Sequence, residues 1–427
     1  MVLVAAFLFL VLLLLGSPIA FSMGLASTAA IAFQGSMPLA IVIQRMLGGI
    51  DGFVFIAIPF YILAGALMDT GGITIRLVRL AQVLVGHIRG GLGMVVVLAM
   101  YLFSGVSGSV VADTSAVGGV TIPMMRKAGY SGPLSVSIVA ASSAMGILVP
   151  PCIPMIILAG MINLSVAALF AAGFFPGAVI AILLMALIYL QARRQGLPAG
   201  ERATWRQVKA AFLEAIIPLG MPVVIFGGIL GGIMTATEAG ALAVAYGAVA
   251  GILIYKEIPL RQIPRILCDV AVITGIVTFL ASTAMVLAYI LAIQRAPDAI
   301  ARILTRWGSA PILFLLFTIL VFVVFGSVLE GPSAIVLFVP ILEPVGRILG
   351  VNSLHFGIVA IAALGLGLYL PPIGIGLFVA LGIAKVPMES VVRPFIPYAI
   401  TLLLGIFVVA AVPWFTLVVP RILNLGQ

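Results

Sequence analysis

Residues 141–156 read ASSAMGILVPPCIPMI, and a second proline pair interrupts residues 355–378, HFGIVAIAALGLGLYLPPIGIGLF. Both stretches lie in apolar segments, 133–164 and 353–385, that are long enough to cross a bilayer. A proline removes a backbone N–H donor and clashes with the preceding turn, so tandem prolines unwind a helix and free carbonyl oxygens. Irregular backbone is tolerated at membrane depth only where it is buried in protein or lines a cavity. The sequence therefore predicts two broken helices inside a membrane protein.

The composition of the chain requires lipid as its main solvent. Of the 427 residues, 64% are hydrophobic and 8% are charged, whereas about a quarter of an average soluble domain is charged. The formal net charge of +9 comes from 21 Lys and Arg against 12 Asp and Glu. Because the basic residues stand between apolar runs, we interpret them as orientation signals in a lipid bilayer and expect no nucleic acid partner.

The spacing of the apolar runs predicts an all-α polytopic membrane protein built from two halves. About 20 apolar residues span the hydrocarbon core as a helix. A polar stretch at 191–214 is predicted to be a cytoplasmic linker between a first repeat, 1–190, and a second repeat, 215–427. Arginines at helical spacing predict interfacial amphipathic helices at 72–89 and 296–307. The predicted crossings are 2–16, 18–34, 52–69, 133–164 and 167–191, followed by 215–233, 236–255, 268–294, 353–385 and 389–418.

Two further apolar segments are predicted to be re-entrant hairpins. Residues 91–126 have small and polar residues at their middle, SGVSGS (104–109), and residues 310–346 have GSVLEGPS (326–333). Such a middle cannot face lipid, because its backbone groups would have no partners there. We therefore expect each hairpin tip to lie inside the protein and to face a broken helix.

The two halves of the chain are related by a divergent internal repeat. Pro150 and Pro371 are 221 residues apart, as are Pro38 and Pro259. Each half has five predicted crossings, an odd number, so the second half should insert upside down relative to the first. Inverted repeats with broken helices are typical of secondary transporters.

The distribution of basic residues predicts the orientation in the membrane. With the linker placed in the cytoplasm, 15 of the 21 Lys and Arg are cytoplasmic and 6 are external. Cytoplasmic loops carry the excess of basic residues in multi-pass membrane proteins. The sequence thus predicts that both termini are periplasmic.

Freed carbonyls and polar residues at the hairpin tips indicate where the chemistry should lie. Carbonyl oxygens can replace the water shell of an alkali cation, and helix N-termini attract anions. A tip facing a broken helix therefore predicts an ion-coupled anion site, while helix packing through small residues also explains each Ser/Gly cluster. Asp113 and Glu330 are either functional carboxylates or structural ties of the hairpins. His87 and His355 are too scattered for a transition-metal site.

Four stretches of the chain have a specific resemblance to one family, and a fifth, 355–378, continues it more weakly. They are IPFYILAGALMDTGGITIRLVRLAQVLVGHIRGGLG (58–93), SGVSGSVVADTSAVGGVTIPMMRKAGY (104–130), ASSAMGILVPPCIPMI (141–156) and TATEAGALAVAYGAVAGILIY (235–255). Together they resemble the large membrane subunit of tripartite ATP-independent periplasmic (TRAP) transporters.

The resemblance implies an elevator-type transporter of the bacterial inner membrane, not an enzyme. It implies that uptake of an organic acid is coupled to Na⁺, with no organic cofactor. It also implies two partners, which are a small four-helix membrane subunit on a separate chain and a soluble periplasmic binding protein that delivers the substrate.

The resemblance further implies two sodium sites and a substrate site between the hairpin tips. The first sodium site would comprise Ser104, Gly105, Ser107, Gly108 and Ser109 with the backbone around Gly146, Val149 and Pro150. The second would comprise Gly326, Ser327, Glu330, Gly331, Gly367, Leu370 and Pro372. The substrate would lie near Ser107, Asp113, Ser142 and Ser143.

The second half departs from the family pattern near its broken helix. Members commonly have a Thr before the second proline pair and Asn residues nearby, where this chain has Leu370, Ala362, Ala363 and Gly376. We therefore expect fewer side-chain oxygens at the second sodium site, where backbone oxygens would have to serve.

Two other functions compete with that of a transporter. A channel can also be built from inverted repeats and hairpins, but it needs a continuous pore and no coupling to an ion gradient. An intramembrane hydrolase needs a nucleophile paired with a base, and no such Ser–His pair is predicted at a suitable depth. As substrates, C4-dicarboxylates, sialic acids, keto acids and other carboxylates all agree with the sequence.

Overall fold

A computed structural model describes residues 1–35, 37–70, 72–306, 311–371 and 374–425. All regular elements among these residues are helical. They are α1 (Val2–Leu14), α2 (Ile19–Gln34), α3 (Ala40–Ile50), α4 (Phe53–Thr70), α5 (Ile73–Val85), α6 (Gly91–Ser107), α7 (Val110–Lys127), α8 (Gly132–Gly146), α9 (Ile153–Ile162) and α10 (Val166–Gln195). The second half contains α11 (Trp205–Leu230), α12 (Ala236–Ala248), α13 (Ile263–Ile293), α14 (Ala296–Arg306), α15 (Pro311–Gly326), α16 (Gly331–Ile348), α17 (Ser353–Gly367), α18 (Ile375–Ala384), α19 (Met388–Ala411) and α20 (Trp414–Ile422). A π-helical segment, Val249–Ile254, continues α12, and a 3-10 turn, Leu260–Gln262, precedes α13.

The two segments predicted as hairpins fold back on themselves. Gly108 ends α6 with φ +68°, a left-handed conformation that a residue without a β-carbon adopts at little cost. Ser109 then caps α7, its hydroxyl accepting a hydrogen bond from the Ala112 N–H at 3.5 Å. α6 packs against α7, and α15 packs against α16. Neither segment is therefore one continuous helix.

The two stretches with paired prolines are broken as predicted. α8 ends at Gly146 and α9 begins at Ile153, while α17 ends at Gly367 and α18 begins at Ile375. The broken helices cross close to their breaks. A β-carbon on Gly365 of α17 would overlap the carbonyl oxygen of Ala144 of α8.

The same order of elements occurs in both halves. A hairpin, a broken helix and a long helix follow one another as α6–α10 and again as α15–α19. The second arms of the two hairpins begin at Val110 and Gly331, and the broken helices begin at Gly132 and Ser353, each pair being 221 residues apart. This agrees with the repeat spacing found in the sequence, and the inversion of the second copy stays a prediction.

Three features differ from the predicted arrangement of crossings. α3 was not predicted, and it forms a bent pair with α4 at 58°. Helix also covers much of the 191–214 linker, because α10 continues to Gln195 and Thr204 starts α11 with a capping box. Six of the described helices are long and apolar enough to cross a membrane on their own, and the bent pair could be a seventh span. The remaining apolar helices among the described residues are shorter, with 10–17 residues each.

The hairpins and broken helices pack together as a block. α7 packs against α8 and α18, and α16 packs against α9 and α17. Outside this block, α4 packs on α12, α5 on α11, and α13 on α2 and α3. α4, α5 and α13 also contact the block, α4 through α6 and α9, α5 through α6 and α7, and α13 through α16. The candidate site lies along this boundary.

Candidate ion and substrate sites

A buried carboxylate fastens the tip of the first hairpin. The hydroxyls of Ser104 and Ser107, both on α6, donate hydrogen bonds to the two carboxylate oxygens of Asp113 on α7. Ser107 also accepts a hydrogen bond from the Ser109 N–H at 3.2 Å. Asp113 is 1% exposed, and both serines are buried. The carboxylate therefore joins the two arms of the hairpin at their tip.

This tip rests directly on the first break. The Ile153 N–H, at the start of α9, donates a hydrogen bond to the Gly108 carbonyl at 3.3 Å. A β-carbon on Gly146 would overlap the Ser104 hydroxyl and lie 3.7 Å from a carboxylate oxygen of Asp113. The structure thus brings Ser104 and Asp113 next to the end of α8.

The remaining residues of the predicted first sodium site lie in the same place. A β-carbon on Gly105 would lie 3.3 Å from the Pro150 carbonyl oxygen and 3.5 Å from the Val149 side chain. One on Gly108 would lie 3.1 Å from the Pro151 carbonyl oxygen. The first tip and the first break therefore meet where hydroxyl, carboxylate and carbonyl oxygens come close together.

The charge of Asp113 has no counterpart among the described side chains. The ion pairs found within the described ranges are Arg76–Glu257, Arg79–Glu214 and Arg347–Glu343. An ionised carboxylate buried without an opposite charge is very costly, so such a group either binds a proton or has a cation beside it. Oxygen atoms of this kind are the ligands that hard cations prefer.

The second tip contacts the second break through two glycines. A β-carbon on Gly367 would lie 2.8 Å from the Val323 carbonyl oxygen and 2.9 Å from both the Gly326 Cα and the Phe322 carbonyl oxygen. Backbone therefore meets backbone, and no side chain fits between the tip and the end of α17.

The other residues of the predicted second site differ from one another in burial and hydrogen bonding. Gly331 is buried, whereas Ser327 donates its hydroxyl hydrogen to the Val324 carbonyl of its own helix at 2.7 Å. The Leu370 N–H donates to the Gly367 carbonyl at 3.0 Å, and the Leu370 carbonyl accepts from the Gly374 N–H at 3.0 Å. Pro372 lies outside the described residues. Some of the backbone carbonyl oxygens at the second break thus already accept hydrogen bonds from the chain itself.

A cavity of about 290 Å³ lies between the two tips, where the first turns of four helices converge. These are the N-termini of α7, α9, α16 and α18, and such termini present N–H groups and a positive dipole end to an anion. Ile273 and Val277 of α13 and Ile62 of α4 close the cavity from outside the block. Glu330 is the charged side chain among the described lining residues. The described residues that line it are Ile62, Gly108, Ser109, Val110, Val111, Ile153, Pro154, Ile273, Val277, Glu330, Gly331, Pro332, Leu368 and Ile375.

The four residues predicted to contact the substrate lie behind this lining. Ser107 and Asp113 face each other within the first tip. Ser142 donates to the Ile138 carbonyl of its own helix at 2.7 Å, and Ser143 donates to the Val110 carbonyl at 3.0 Å. All four are buried. They support the wall of the cavity from behind.

Tyr369, which sequence reasoning did not single out, links the second break to the first hairpin. Its hydroxyl lies 2.5 Å from the Thr114 hydroxyl and donates to the Val110 carbonyl at 3.0 Å. Thr114 is also 2.8 Å from the Ser143 hydroxyl. A β-carbon on Gly376 would overlap the tyrosine ring, so the absence of a side chain at 376 leaves room for this link.

Replacing Tyr369 with phenylalanine should therefore loosen the first tip. The change removes one buried hydroxyl from a network that fixes the start of α7, at a cost of about 1–2 kcal/mol. We expect a lower thermal unfolding temperature together with faster amide hydrogen exchange at the start of α7. Tyr398→Phe is a matched control, because it removes a hydroxyl that donates to Gln191 at 2.7 Å, outside the tips. Equal exchange rates at the start of α7 in the two variants would contradict a specific role for Tyr369.

The chain is similar to known proteins over nearly its whole length. Residues 6–415 match the family described as "Tripartite ATP-independent periplasmic transporter, DctM component". The chain is 35% identical to the sialic acid TRAP transporter large permease protein SiaM of Vibrio cholerae, over 97% of this chain and 98% of that protein. It is 35% identical to the C4-dicarboxylate TRAP transporter large permease protein DctM of Pseudomonas aeruginosa, over 88% of each.

A solved structure gives a likeness of fold. The crystal structure of the Alcanivorax borkumensis YdaH transporter superposes with a TM-score of 0.64 and covers 88% of both chains. The two sequences are 17% identical, so this likeness concerns the architecture alone.

Proposed function

Since the chain belongs to the DctM family of TRAP transporter large permeases, we propose that it takes up an organic acid by coupling that uptake to sodium. Members of this family are membrane subunits of transporters and not enzymes. The chain is accordingly a multi-pass inner-membrane protein that works with a companion substrate-binding protein. Relatives named for sialic acid and for C4-dicarboxylates support a carboxylate as the substrate.

The buried carboxylate of Asp113 is the observation that supports sodium coupling most strongly. It lies where oxygen atoms of the first tip and the first break come close together, with no described basic side chain in an ion pair with it. A sodium ion held there by Asp113, Ser104 and backbone carbonyls would supply the missing positive charge. Because the ion would contact both the hairpin and the broken helix, its binding would hold the tip closed.

The convergence of helix N-termini supports an anion in the cavity between the tips. A carboxylate placed there would accept hydrogen bonds from the first turn of α7. The apolar side chains of α4 and α13 would pack against the rest of the molecule. The first tip forms part of the cavity wall, and bound sodium would hold this tip closed. Sodium binding would therefore strengthen substrate binding.

Alternating access is proposed to occur by an elevator motion of the block. The hairpins and broken helices pack on one another, and the cavity lies between this block and the helices α4 and α13. Sliding the block along α4 and α13 would carry the cavity across the membrane without dismantling either tip. A small four-helix subunit on a separate chain and periplasmic termini complete the proposal.

Filling the cavity gives a direct test of this function. The permease, assembled with its small subunit and supplied with its binding protein, is placed in liposomes, and uptake is measured with and without a sodium gradient. Val111→Trp, at the cavity wall, should abolish uptake because the indole occupies the substrate volume. Val223→Trp, at an exposed position of α11, should leave it intact.

The same assay separates a transporter from a channel. We expect the uptake rate to saturate with substrate and to stop when the sodium gradient is collapsed. Uptake that stays linear with substrate and continues without sodium would refute the proposal in favour of a channel.

A further inference from the structure

A second, larger cavity of about 670 Å³ lies farther along the same boundary. Three helices line both cavities, and on each of them the second cavity begins seven or eight residues later. The pairs are Pro154 and Met161 on α9, Val277 and Met285 on α13, and Pro332 and Pro340 on α16. Seven or eight residues of helix advance by about 11–12 Å. The larger cavity is thus the continuation of the groove that begins between the tips.

The charges in this cavity leave one guanidinium without an acidic partner. Two arginines, Arg45 and Arg347, and one carboxylate, Glu343, line it. Arg347 is paired with the buried Glu343, which also accepts a hydrogen bond from the Ser353 hydroxyl at 2.7 Å. Among the ion pairs of the described residues, none includes Arg45. The lining therefore has one net positive charge.

Arg45 is held in position without being neutralised. Its guanidinium carbon lies 4.0 Å from the centre of the Tyr289 ring, in a cation–π contact. None of the ion pairs among the described residues uses its N–H groups, and the fork geometry of a guanidinium matches a carboxylate. Gln44, beside it in the lining, offers a further amide donor.

We propose that this cavity is a vestibule in which Arg45 binds the carboxylate of a monoanionic organic acid before the acid reaches the space between the tips. The inference rests on the proposed function in that the bound acid is the transported one. By the charge-based topology Arg45 and Arg347 are on the periplasmic side, which is where a binding protein would release its substrate. One net positive charge suits a monoanion better than a dianion.

The anion preference of the vestibule can be measured without knowing the substrate. Gly48 lines the cavity, and a β-carbon there meets open space, so Gly48→Cys should fold normally. It is introduced together with Cys268→Ser, which removes the exposed native thiol, while Cys152 is buried. Modification rates are then compared for sulfonatoethyl and trimethylammoniumethyl methanethiosulfonate in the purified protein. Gln262→Cys, in the loop before α13, serves as the reference position.

We expect the anionic reagent to be favoured at the thiol of Gly48→Cys relative to the thiol of Gln262→Cys, and Arg45→Gln to reduce this preference about tenfold or more. That factor corresponds to the loss of one charge-assisted hydrogen bond. Equal charge selectivity at both thiols, unchanged by Arg45→Gln, would show that Arg45 only anchors the helix at the membrane surface and would overturn the proposal.

Uptake measurements test whether the vestibule serves transport. With the acid that the unaltered complex takes up, Arg45→Gln should raise KM about tenfold or more and leave kcat and the sodium dependence unchanged. Arg421 is exposed and does not line the cavity, so Arg421→Gln should change none of KM, kcat and the sodium dependence. Sodium-driven uptake with a normal KM in Arg45→Gln would contradict the vestibule alone. Absence of sodium coupling in the unaltered complex would contradict the proposed function. In that case the reagent experiment alone would decide whether the vestibule binds anions.

Discussion

Asp113→Asn is expected to abolish sodium-driven uptake while the permease still inserts and folds. Asparagine keeps the shape of the side chain and an oxygen for one of the two serine hydroxyls, but it removes the negative charge. Breaking a buried ion pair costs about 3–5 kcal/mol, which corresponds to a loss of about 10²–10⁴-fold in sodium affinity. Initial uptake rates across a series of sodium concentrations measure this loss.

Asp269→Asn is the matched control for this change. Asp269 is also an aspartate on a membrane helix, but it is exposed and lies outside both tips. Its replacement should leave the sodium dependence as it is. If Asp113→Asn transports with an unaltered sodium response, then Asp113 is only a structural tie of the hairpin.

Gly367→Ala should be nearly as damaging, through packing alone. The added methyl group would meet two carbonyl oxygens and an α-carbon of the second hairpin within 2.9 Å. These are backbone atoms, which cannot rotate away as a side chain could, so the second tip must separate from the break. Overpacking of this kind costs about 1–3 kcal/mol, and we expect uptake to fall by more than tenfold.

Gly382→Ala separates this effect from the general effect of adding a methyl group. A β-carbon on Gly382 meets open space in α18, and alanine is the better helix former by about 1 kcal/mol. Its uptake should be normal and its unfolding temperature equal or higher. Normal uptake in Gly367→Ala would contradict the close contact between the second tip and its break.

The breaks and hairpins could be predicted because their causes are local. Two adjacent prolines stop a helix in any surroundings, and Gly108 next to Ser109 supplies both the left-handed turn and the cap that begin the second arm. The repeat spacing of 221 residues in the sequence recurs in the helix starts. The family resemblance drawn from these same stretches is confirmed by the match over residues 6–415.

What the sequence did not indicate depends on contacts between distant residues. Tyr369 stands in an apolar run, and only the fold brings its hydroxyl to Thr114, 255 positions away. Ile273 and Val277 look like any lipid-facing residues, because the same side chains suit a cavity wall and a bilayer. Ser142 suggested a substrate contact, yet its hydroxyl is satisfied one turn back in its own helix.

One missed feature did have a local signal. The T-x-x-Q pattern of Thr204 and Gln207 is a capping box, and it marks the start of α11 inside the stretch predicted to be a linker. α3 lacked such a signal. It is eleven residues long, which is too short for a crossing, and it is recognisable only from its packing on α13.

Direct binding of radioactive sodium to the purified subunit tests most sharply whether the first hairpin and the first broken helix enclose a cation. We expect saturable retention by the unaltered protein, and a large loss of that retention in Asp113→Asn but not in Asp269→Asn. Equal retention by all three proteins, at every sodium concentration, would mean that the oxygen atoms between the tip and the break do not form an ion site.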